Sequence, residues 1–361
     1  MSEIKISVID SLEKLKDLKP SWNQLLKKSI SNSIFLTWEW QYSWAETFSN
    51  NNKQLFVITV YYKNKIIGIA PWYIKVSKTR GFNIRKLYFL GNPEAASDYL
   101  DVIATKSKEQ EVAKQLYAFL FSEGKKHWDS LMLRDISSDS LFLLYLQELI
   151  AEYGKYSSLS YSSFCPATNL PSSTKNFLLA LTPNRRQQYK RHSRILQKDK
   201  DIRLHTQTTP TTGDLDNFFT FYENKSGYSS RQVKPMIQSL IQNSNEQKRV
   251  QIDTLMDGDF KIASLLHLKH EHTLSMYLMV VDKTYNPKIS IGNIIVAMCM
   301  ENAIKAGFHT YDFLKGTENY KLHWANTSTT LLGLSVYQMS LATTLLHSIN
   351  SIKNLGKILL R

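Results

Sequence analysis

The sequence predicts a mixed α/β (α+β) chain made of two similar halves, each a mixed, mainly antiparallel sheet flanked by helices. Two observations predict this fold class. Runs of β-branched and aromatic residues around turn formers alternate with segments of helical spacing. The order hairpin, strand, helix, strand then occurs twice, about half a chain length apart. With 361 residues, the chain is also long enough for two cores.

The first half begins with a predicted hairpin over residues 55–76, where β-branched and aromatic residues flank a Lys-Asn-Lys turn. Residues 85–105 predict two more strands joined by a Gly-Asn-Pro loop. Apolar residues at helical spacing predict a helix over residues 108–127, and residues 129–136 predict a further strand.

The second half repeats this order. Residues 250–282 predict three strands separated by two turns, residues 291–307 a helix that ends in glycine, and residues 308–314 a strand. KIIGIAPWYI matches FKIASLLHL, and SEGKKHWDSLML matches IKAGFHTYDFL. A duplicated unit is the economical interpretation, and a coincidence of two generic α/β patterns is the alternative. The predicted parts are a first half, a connecting segment and a second half, at 1–170, 171–210 and 211–361.

The connecting segment is densely basic over residues 181–203. A capping threonine and a following proline suit a helix start, and Arg186, Lys190 and Arg194 then recur on one helical face. The segment is either a solvated linker helix or a cationic arm for phosphate or RNA. Under the second interpretation, Arg186 and Lys190 are candidate substrate-binding residues. The end of the chain, residues 344–361, predicts an amphipathic helix that either docks on its own domain or makes weak peripheral membrane contact.

Composition narrows the class of partner. The net charge of +14 favours an anionic partner such as a phosphate-bearing cofactor, tRNA or an acidic membrane face, although lysines spread over a surface for solubility would give the same value. We expect no DNA partner. The two cysteines, Cys165 and Cys299, are too far apart for a disulfide framework or a zinc motif, which predicts a cytoplasmic location. We expect neither a signal peptide nor a membrane span, since the N-terminal residues contain no apolar core of signal-peptide length and no run approaches about 20 apolar residues.

Several enzyme classes lack their motifs. There is no phosphate-binding P-loop, no G-x-S-x-G and no G-x-G-x-x-G, so kinase, hydrolase and dinucleotide-binding functions lose support. The histidines of HLKHEH, His267, His270 and His272, fall where the second hairpin is expected to turn, with no carboxylate or thiol set behind them. No metal site is therefore predicted.

Two segments of the second half remain as candidates. Gly292 lies at the start of a long helix directly after a strand, where backbone N–H groups and the helix dipole favour an anion such as a pyrophosphate. The segment YDFLKGTENYKLHW, residues 311–324, places opposite charges close together beside aromatic side chains. It is either a strand end with its loop or an assembled reaction site.

These residues resemble a known family. The chain resembles the GNAT-like acyltransferases of the CelD/BcsL type, which are related to the FemABX peptidyltransferases and contain two GNAT-like halves. The resemblance covers roughly residues 30 to 335 and rests on FLTWEWQYSWAETF, IIGIAPWYI, SDYLDVI, NRRQQYKRHSRIL, KIASLLHL, SIGNIIV and YDFLKGTENYKLHW. The last matches the pattern D-F-x-x-G-x-x-x-Y-K, and where the family commonly has Arg this chain has Lys315, which lacks the planar bidentate grip.

The resemblance implies tandem GNAT-like units and acyl transfer, without a metal, from acyl-CoA such as acetyl-CoA to an amine or hydroxyl. The acceptor would be a small molecule or an envelope or polysaccharide precursor. In GNAT folds the donor pyrophosphate lies on the helix that follows the fourth strand, which corresponds to Ile291, Gly292, Asn293 and Ile294. SIGN is a thinner loop than the GNAT form, so an aminoacyl-tRNA donor, as in the Fem relatives, stays open. A non-catalytic binding protein of the same fold is the third possibility.

Acyl transfer needs a nucleophile that has lost its proton, a polarised carbonyl and a proton for the leaving group. Asp312 would orient or deprotonate the acceptor, Tyr320 would protonate the leaving thiolate, and Lys321 would hold phosphate or the developing oxyanion. Glu318 is a second candidate base, and Lys315 a substrate-binding cation. The alternative for Asp312 is a buried carboxylate that pairs with Lys321 or Lys315 to hold the loop.

The first half would supply acceptor-binding residues. SDYLDV, residues 97–102, predicts a strand on which Asp98 and Tyr99 face opposite sides, so one of the two would face the groove between the halves. The alternative is a strand-end carboxylate that caps a turn. Trp38 lies in a predicted helix and either packs in the core or lines the acceptor pocket.

Overall fold

A computed structural model describes residues 3–79, 82–198, 201–244 and 246–338 of the chain. Within it the chain forms two compact units, one of the described residues up to 162 together with 331–338, the other of the described residues from 163 to 330. Both are mixed α/β structures in which helices flank mixed sheets, which confirms the predicted fold class. The sequence assigned residues 331–338 to the second half, whereas in the structure they belong to the first unit. The predicted helix at 344–361 lies outside the described residues.

The first unit contains the N-terminal strands and helices. Its elements are β1 (Ile4–Ile9), α1 (Leu12–Asp17), α2 (Lys19–Leu26), a 3-10 turn (Ile34–Leu36), α3 (Trp38–Phe48), β2 (Lys53–Leu55), β3 (Val57–Tyr62), β4 (Lys65–Ala70), β5 (Trp72–Thr79), β6 (Phe82–Phe89), β7 (Ile103–Ala104), α4 (Glu109–Phe121), a second 3-10 turn (Glu123–His127), β8 (Ser130–Ser137), α5 (Leu141–Glu152) and the start of β9 (Ser157–Asn169).

The strands of the first unit pair in two orders. The first is β1-β3-β4-β7, and the second is β8-β6-β5-β2, in which β8 also pairs with residues 331–337. The predicted hairpin is β3 and β4, whose turn residues Lys63 and Asn64 both have positive φ, 47° and 63°. Two such residues give the turn a twist that matches the twist of the strands. β6 and β8 run parallel, with α4 between them in the chain.

One predicted strand of this unit is wrong. Residues 97–102 of SDYLDV form an irregular segment, and β7 contains only Ile103–Ala104. Tyr99 has a φ of 51°, a left-handed conformation that ends any regular strand. The alternation used to place Asp98 and Tyr99 on opposite faces therefore does not apply.

The second unit carries the other helices and strands. Its elements are the end of β9, α6 (Thr174–Ala180), α7 (Pro183–Gln197), β10 (Ile202–Gln207), α8 (Thr212–Ser226), α9 (Val233–Asn243), β11 (Val250–Asp257), β12 (Phe260–His270), β13 (Thr273–Val281), α10 (Ile291–Lys305), β14 (Thr310–Asp312), α11 (Asn319–Trp324) and the first residues of β15 (Thr327–Tyr337).

The sheet of the second unit has the order β10-β11-β12-β13-β14-β9. β11, β12 and β13 form the three predicted antiparallel strands, and β14 then pairs parallel to β13 after α10. The first unit has the same succession in β5, β6, α4 and β8, with β5 and β6 antiparallel and β8 parallel to β6. The repeated order predicted from the sequence therefore occurs in both units.

Helix α10 is the centre of the core of the second unit. Its buried residues include Ile291, Ile295, Cys299 and Met300, and they pack with buried residues of the sheet and of α11. Such a helix, apolar on most of its sides, is stable only when it is enclosed. It ends where Gly307 adopts a φ of 81°, a left-handed conformation that glycine adopts without steric cost.

Candidate functional site

The start of α10 is open at its second residue. Ser290 precedes the helix and makes no side-chain capping hydrogen bond, and the first N–H groups of any helix lack intrahelical acceptors. A Cβ built on Gly292 would come no closer than 3.6 Å to its nearest neighbour, Val281 Cγ2. Ile291 and Ile294 are buried, whereas Gly292 and Asn293 are half-buried. The two more accessible residues therefore present their N–H groups where an anion is stabilised by the helix dipole.

The two parallel strands beside this helix separate early. β14 pairs with β13 over three positions and ends at Asp312, opposite Ser275. β13 continues to Val281, and its residues 277–279 are only half-buried. The edge of β13 beyond Ser275 thus lies next to the loop that follows β14, on the side where α10 begins.

The loop after β14 has a defined conformation. The Asp312 carboxylate, which is buried, accepts the Leu314 backbone N–H through Oδ1 at 2.8 Å. Leu314 has a φ of 57°, and the Asp312 hydrogen bond stabilises this left-handed turn. The backbone N–H groups of Phe313 and Gly316 donate to the carbonyls of Pro166 and Phe164. Strand β9 therefore supports the loop from one side.

Lys321 closes this loop from inside. Its side chain is buried, and Nζ donates to the Lys315 carbonyl at 2.6 Å and lies 3.2 Å from Glu318 Oε2. Gly316 has a φ of 139°, and a Cβ there would clash with Glu318 Oε2 and lie 2.7 Å from Lys321 Nζ. Gly316 and Lys321, the G and the K of the D-F-x-x-G-x-x-x-Y-K pattern, are therefore packed against each other.

Of the four predicted catalytic residues, Glu318 and Tyr320 are the more accessible. Glu318 precedes α11 and its side chain is exposed, while Tyr320 is half-buried. Burial, and next the charge of Glu318, raise the pKa of Tyr320 well above its ordinary value. Tyr320 therefore keeps its proton at neutral pH and can donate it. Residues 319–324 belong to the segment predicted to be either a strand end with its loop or a reaction site, and they form helix α11.

A side-chain hydrogen bond joins the two candidate segments. Trp324 Nε1, on α11, donates to Asn293 Oδ1, in the first turn of α10, at 3.1 Å. Trp324 is buried and stacks on Phe177, with ring centroids 6.1 Å apart. The start of α10 and the segment 311–324 are therefore neighbours within the second unit, as a transfer site requires.

Helix α7 forms where the sequence predicted it and borders a groove. Thr182 Oγ1 accepts the Arg185 N–H, and Pro183 is the first helical residue. The groove has a volume of about 620 Å³ and is lined by residues of α7 and α10, among them Tyr189, Lys190, Arg194, Ile294 and Glu301. Tyr189 donates to Glu301 Oε1 at 3.2 Å, and burial raises the pKa of Glu301.

The two basic residues singled out on α7 have different surroundings. Lys190 is exposed and lines the groove. Arg186 donates through Nη2 to the carbonyls of Leu179 and Leu181, at 2.9 and 3.1 Å, at the end of α6. Its guanidinium therefore stabilises a helix end, and Lys190 is the better placed of the two to meet a phosphate.

The acceptor candidates of the first unit are buried or lie in a left-handed turn. Trp38 is 2% exposed and donates through Nε1 to the Leu15 carbonyl at 2.8 Å, which favours the core interpretation. Asp98 is fully buried, next to the left-handed Tyr99 in the irregular segment. None of these three side chains lies in the second unit, where the two other candidate segments meet.

Sequence reasoning missed one polar cluster. His267 lies in β12 rather than in the hairpin turn, because the turn residue of positive φ is Glu271. Ligand atoms of Asp253, His267 and Cys299, all buried, lie within 4.8 Å of one another, so the statement that no carboxylate or thiol stands behind the histidines is wrong. The signal in the sequence was Asp253 in the apolar strand VQIDTLM, a position where a charged residue needs a partner.

A comparison with protein families finds a match within the second unit. Residues 183–322 match the family model described as an acetyltransferase (GNAT) domain. This range contains the start of α10 and the segment up to Lys321. A comparison with curated proteins gave no match.

Solved structures show the same fold at low identity. The crystal structure of FemX is similar with a TM-score of 0.65 and 9% identity, over 95% of this chain and 99% of that one. L-PGS from Bacillus licheniformis has a TM-score of 0.51 and 10% identity, over 94% and 96% of the two chains. A conserved protein of unknown function from Bacteroides thetaiotaomicron has a TM-score of 0.51 and 10% identity, over 92% and 100%.

Residues 183–322 of the second unit are thus similar to an acetyltransferase (GNAT) domain, and the chain shares its fold with FemX. Within the described ranges, every helix is too short or too polar to cross a membrane.

Proposed function

We propose that the protein is an acyltransferase that moves an acyl group from acyl-CoA to an amine or hydroxyl. One observation carries this proposal: the Trp324–Asn293 hydrogen bond of 3.1 Å brings the start of α10 next to the segment 311–324. The range that matches the GNAT domain contains the start of α10 and most of this segment, up to residue 322. The acceptor class remains that implied by the CelD/BcsL resemblance, a small molecule or an envelope or polysaccharide precursor. A cytoplasmic location stays a prediction.

The donor would bind with its pyrophosphate at Ile291–Ile294. Gly292 and Asn293 offer N–H groups at the positive end of the helix dipole, and the missing Cβ of Gly292 leaves room for phosphate oxygens. The acyl carbonyl would then lie along the edge of β13 beyond Ser275, where β14 has ended. Backbone N–H groups at that edge are suitable donors for the developing oxyanion.

Exposure divides the four predicted catalytic residues into two pairs. Tyr320, which stays protonated, is the proton donor for the leaving thiolate, and exposed Glu318 is the base that receives the acceptor proton. Asp312 and Lys321 are buried and bonded within the loop, so they hold the other two in place. Lys315, which is half-buried, supplies a cation at the same loop.

Calorimetric titration with coenzyme A, followed by release of free thiol from acetyl-CoA with a panel of amines, tests this proposal. We expect binding, and acceptor-dependent thiol release. Coenzyme A binding without release for any acceptor would favour the non-catalytic binding protein. No heat and no thermal shift with acetyl-CoA would contradict the proposed donor site.

An aminoacyl-tRNA-dependent peptidyltransferase of the Fem kind is the second candidate. The observation that favours it is the groove beside α7, which Lys190, Arg194 and Lys198 line with positive charge. Binding of tRNA that weakens steeply with salt, and that is lost when Lys190 and Arg194 become Glu, would support this donor. Binding that is indifferent to both changes would exclude the groove as the tRNA site.

A further inference from the structure

A chain of buried polar contacts crosses the sheet of the second unit beneath α10. Thr206 on β10 donates to Asp253 Oδ1 on β11 at 2.6 Å, and Asp253 Oδ2 lies 2.8 Å from His267 Nδ1 on β12. His267 Nε2 lies 2.7 Å from the Tyr311 hydroxyl on β14. Asp253, His267 and Tyr311 are fully buried. This series of contacts therefore links four strands and ends at Tyr311, the residue before Asp312.

The charges along this series of contacts determine which of its side-chain atoms carry protons. Burial alone would raise the pKa of Asp253, but the contacts with His267, Thr206 and Gln251 together bring that pKa below its ordinary value. Asp253 is therefore a carboxylate, an acceptor only, and the His267 Nδ1 that faces it carries a proton. Burial raises the pKa of Tyr311 well above its ordinary value, so the hydroxyl stays protonated. The Tyr311 oxygen is thereby held by a ring whose orientation Asp253 sets.

The end of β14 is held by backbone pairing with β13 and β9 as well as by this side-chain contact. β14 has three residues and pairs with β13 at three positions, the last of which is Asp312 with Ser275. Directly after it, the Asp312–Leu314 hydrogen bond forms the left-handed turn that starts the loop to Lys321. A side-chain anchor at Tyr311 therefore acts one residue before the turn from which the candidate site is built.

We propose that His267 is a positioning residue for the site: through Tyr311 it holds the end of β14, and with it the turn at Asp312 and the loop that carries Glu318 and Tyr320. This inference rests on the proposed function for its effect on turnover. Its structural part, the restraint of the loop, does not. A polar chain in an apolar core stabilises no better than apolar packing of the same volume, which is why we look for its effect in the loop.

A metal ion held by Asp253, His267 and Cys299 is the competing interpretation. Zinc bonds to nitrogen and oxygen at about 2.0–2.2 Å and to sulfur at about 2.3 Å. An ion between the ring and the carboxylate would have to open their 2.8 Å contact, and Asp253 also accepts from Gln251 at 2.8 Å. The distances therefore favour a direct polar contact between the ring and the carboxylate, and metal content is one outcome of the test.

The experiment compares Tyr311→Phe with a matched control, Tyr73→Phe. Tyr73 is also fully buried, and its hydroxyl also makes a hydrogen bond, to the Asn92 carbonyl at 2.9 Å in the first unit. Hydrogen–deuterium exchange of a peptide over residues 311–318, steady-state kinetics, thermal unfolding and metal analysis are measured on both variants and on the natural protein. His267→Gln is measured alongside, to remove the ring but keep a hydrogen-bonding side chain.

We expect Tyr311→Phe and His267→Gln to speed exchange of this peptide about tenfold and to lower kcat about tenfold at an unchanged KM, the usual size for one lost buried hydrogen bond. Tyr73→Phe should change neither. Unchanged exchange would overturn the inference, as would a loss of stability with normal turnover per folded molecule. One equivalent of metal in the natural protein, lost in Asp253→Ala, would overturn it in favour of a metal site. Faster exchange in a protein without any transfer activity would uphold the positioning and contradict the proposed function.

Discussion

A negative charge at position 292 should stabilise the helix and at the same time expel the acyl donor. Gly292 is the second residue of α10. A Cβ added there would lie 3.6 Å from Val281 and 3.9 Å from Met279, which are ordinary contact distances. Aspartate there replaces a poor helix former and faces the positive end of the dipole, so we expect a gain of about 0.3–1 kcal/mol from the charge. Two charges on a bound pyrophosphate about 4 Å away would each be repelled by about 1 kcal/mol in water.

The assay sets Gly292→Asp against Gly292→Asn, which has the same size and no charge. We expect both variants to unfold at or above the natural temperature, while the aspartate variant binds coenzyme A about thirtyfold more weakly than the asparagine variant, the equivalent of about 2 kcal/mol. The difference should shrink as salt is added. Equal affinities of the two folded variants would refute the assignment of the pyrophosphate to this helix start.

Three further substitutions test other parts of the account. Tyr320→Phe should lower kcat by about 10²-fold with little change in unfolding temperature, the scale for a lost general acid, and a normal kcat would remove Tyr320 from the mechanism. Gly316→Ala should cost about 1–3 kcal/mol in the free energy of unfolding, since a φ of 139° is strained for any residue with a Cβ and the side-chain ends of Glu318 and Lys321 would have to shift; a fully stable variant would show that the loop rearranges. Burial raises the pKa of Asp101 to about 6 from 3.8, so this carboxyl takes up a proton on folding between these two pH values. The contribution of the protonated carboxyl to the free energy of unfolding is therefore full below about pH 4 and is lost as pH rises towards 6. The loss is about 3 kcal/mol over that window, and urea unfolding of Asp101→Asn should show a flatter pH dependence; an unchanged slope would contradict this.

Local chemistry in the sequence was enough to predict much of the fold. The turn at Lys63 and Asn64, and the threonine and proline at the start of α7, each carry their signal within a few residues. Such features depend on backbone preferences that neighbouring residues do not override. The strand prediction for SDYLDV was wrong because local sequence does not reveal strand pairing. Its apolar residues are buried in an irregular segment, and in the sequence a buried irregular segment has the same apolar pattern as a buried strand.

The candidate site was predicted only in part, because contacts distant in sequence complete it. The helix start at Gly292 and the segment 311–324 were each recognisable, but the bond between Asn293 and Trp324 joins residues on two helices that only the folded sheet brings together. Likewise His267, Asp253 and Tyr311 come from three strands, and no periodicity relates them. Spacing along the chain reveals single elements, whereas the chemistry here is shared between elements.

A crystal structure of the protein with coenzyme A is the most direct test of the central claim. We expect the pyrophosphate within hydrogen-bonding distance of the N–H groups of Gly292 and Asn293, with the sulfur near Tyr320 and the free edge of β13. Coenzyme A bound elsewhere, or a helix start that stays empty at saturating ligand while the protein remains folded, would contradict it.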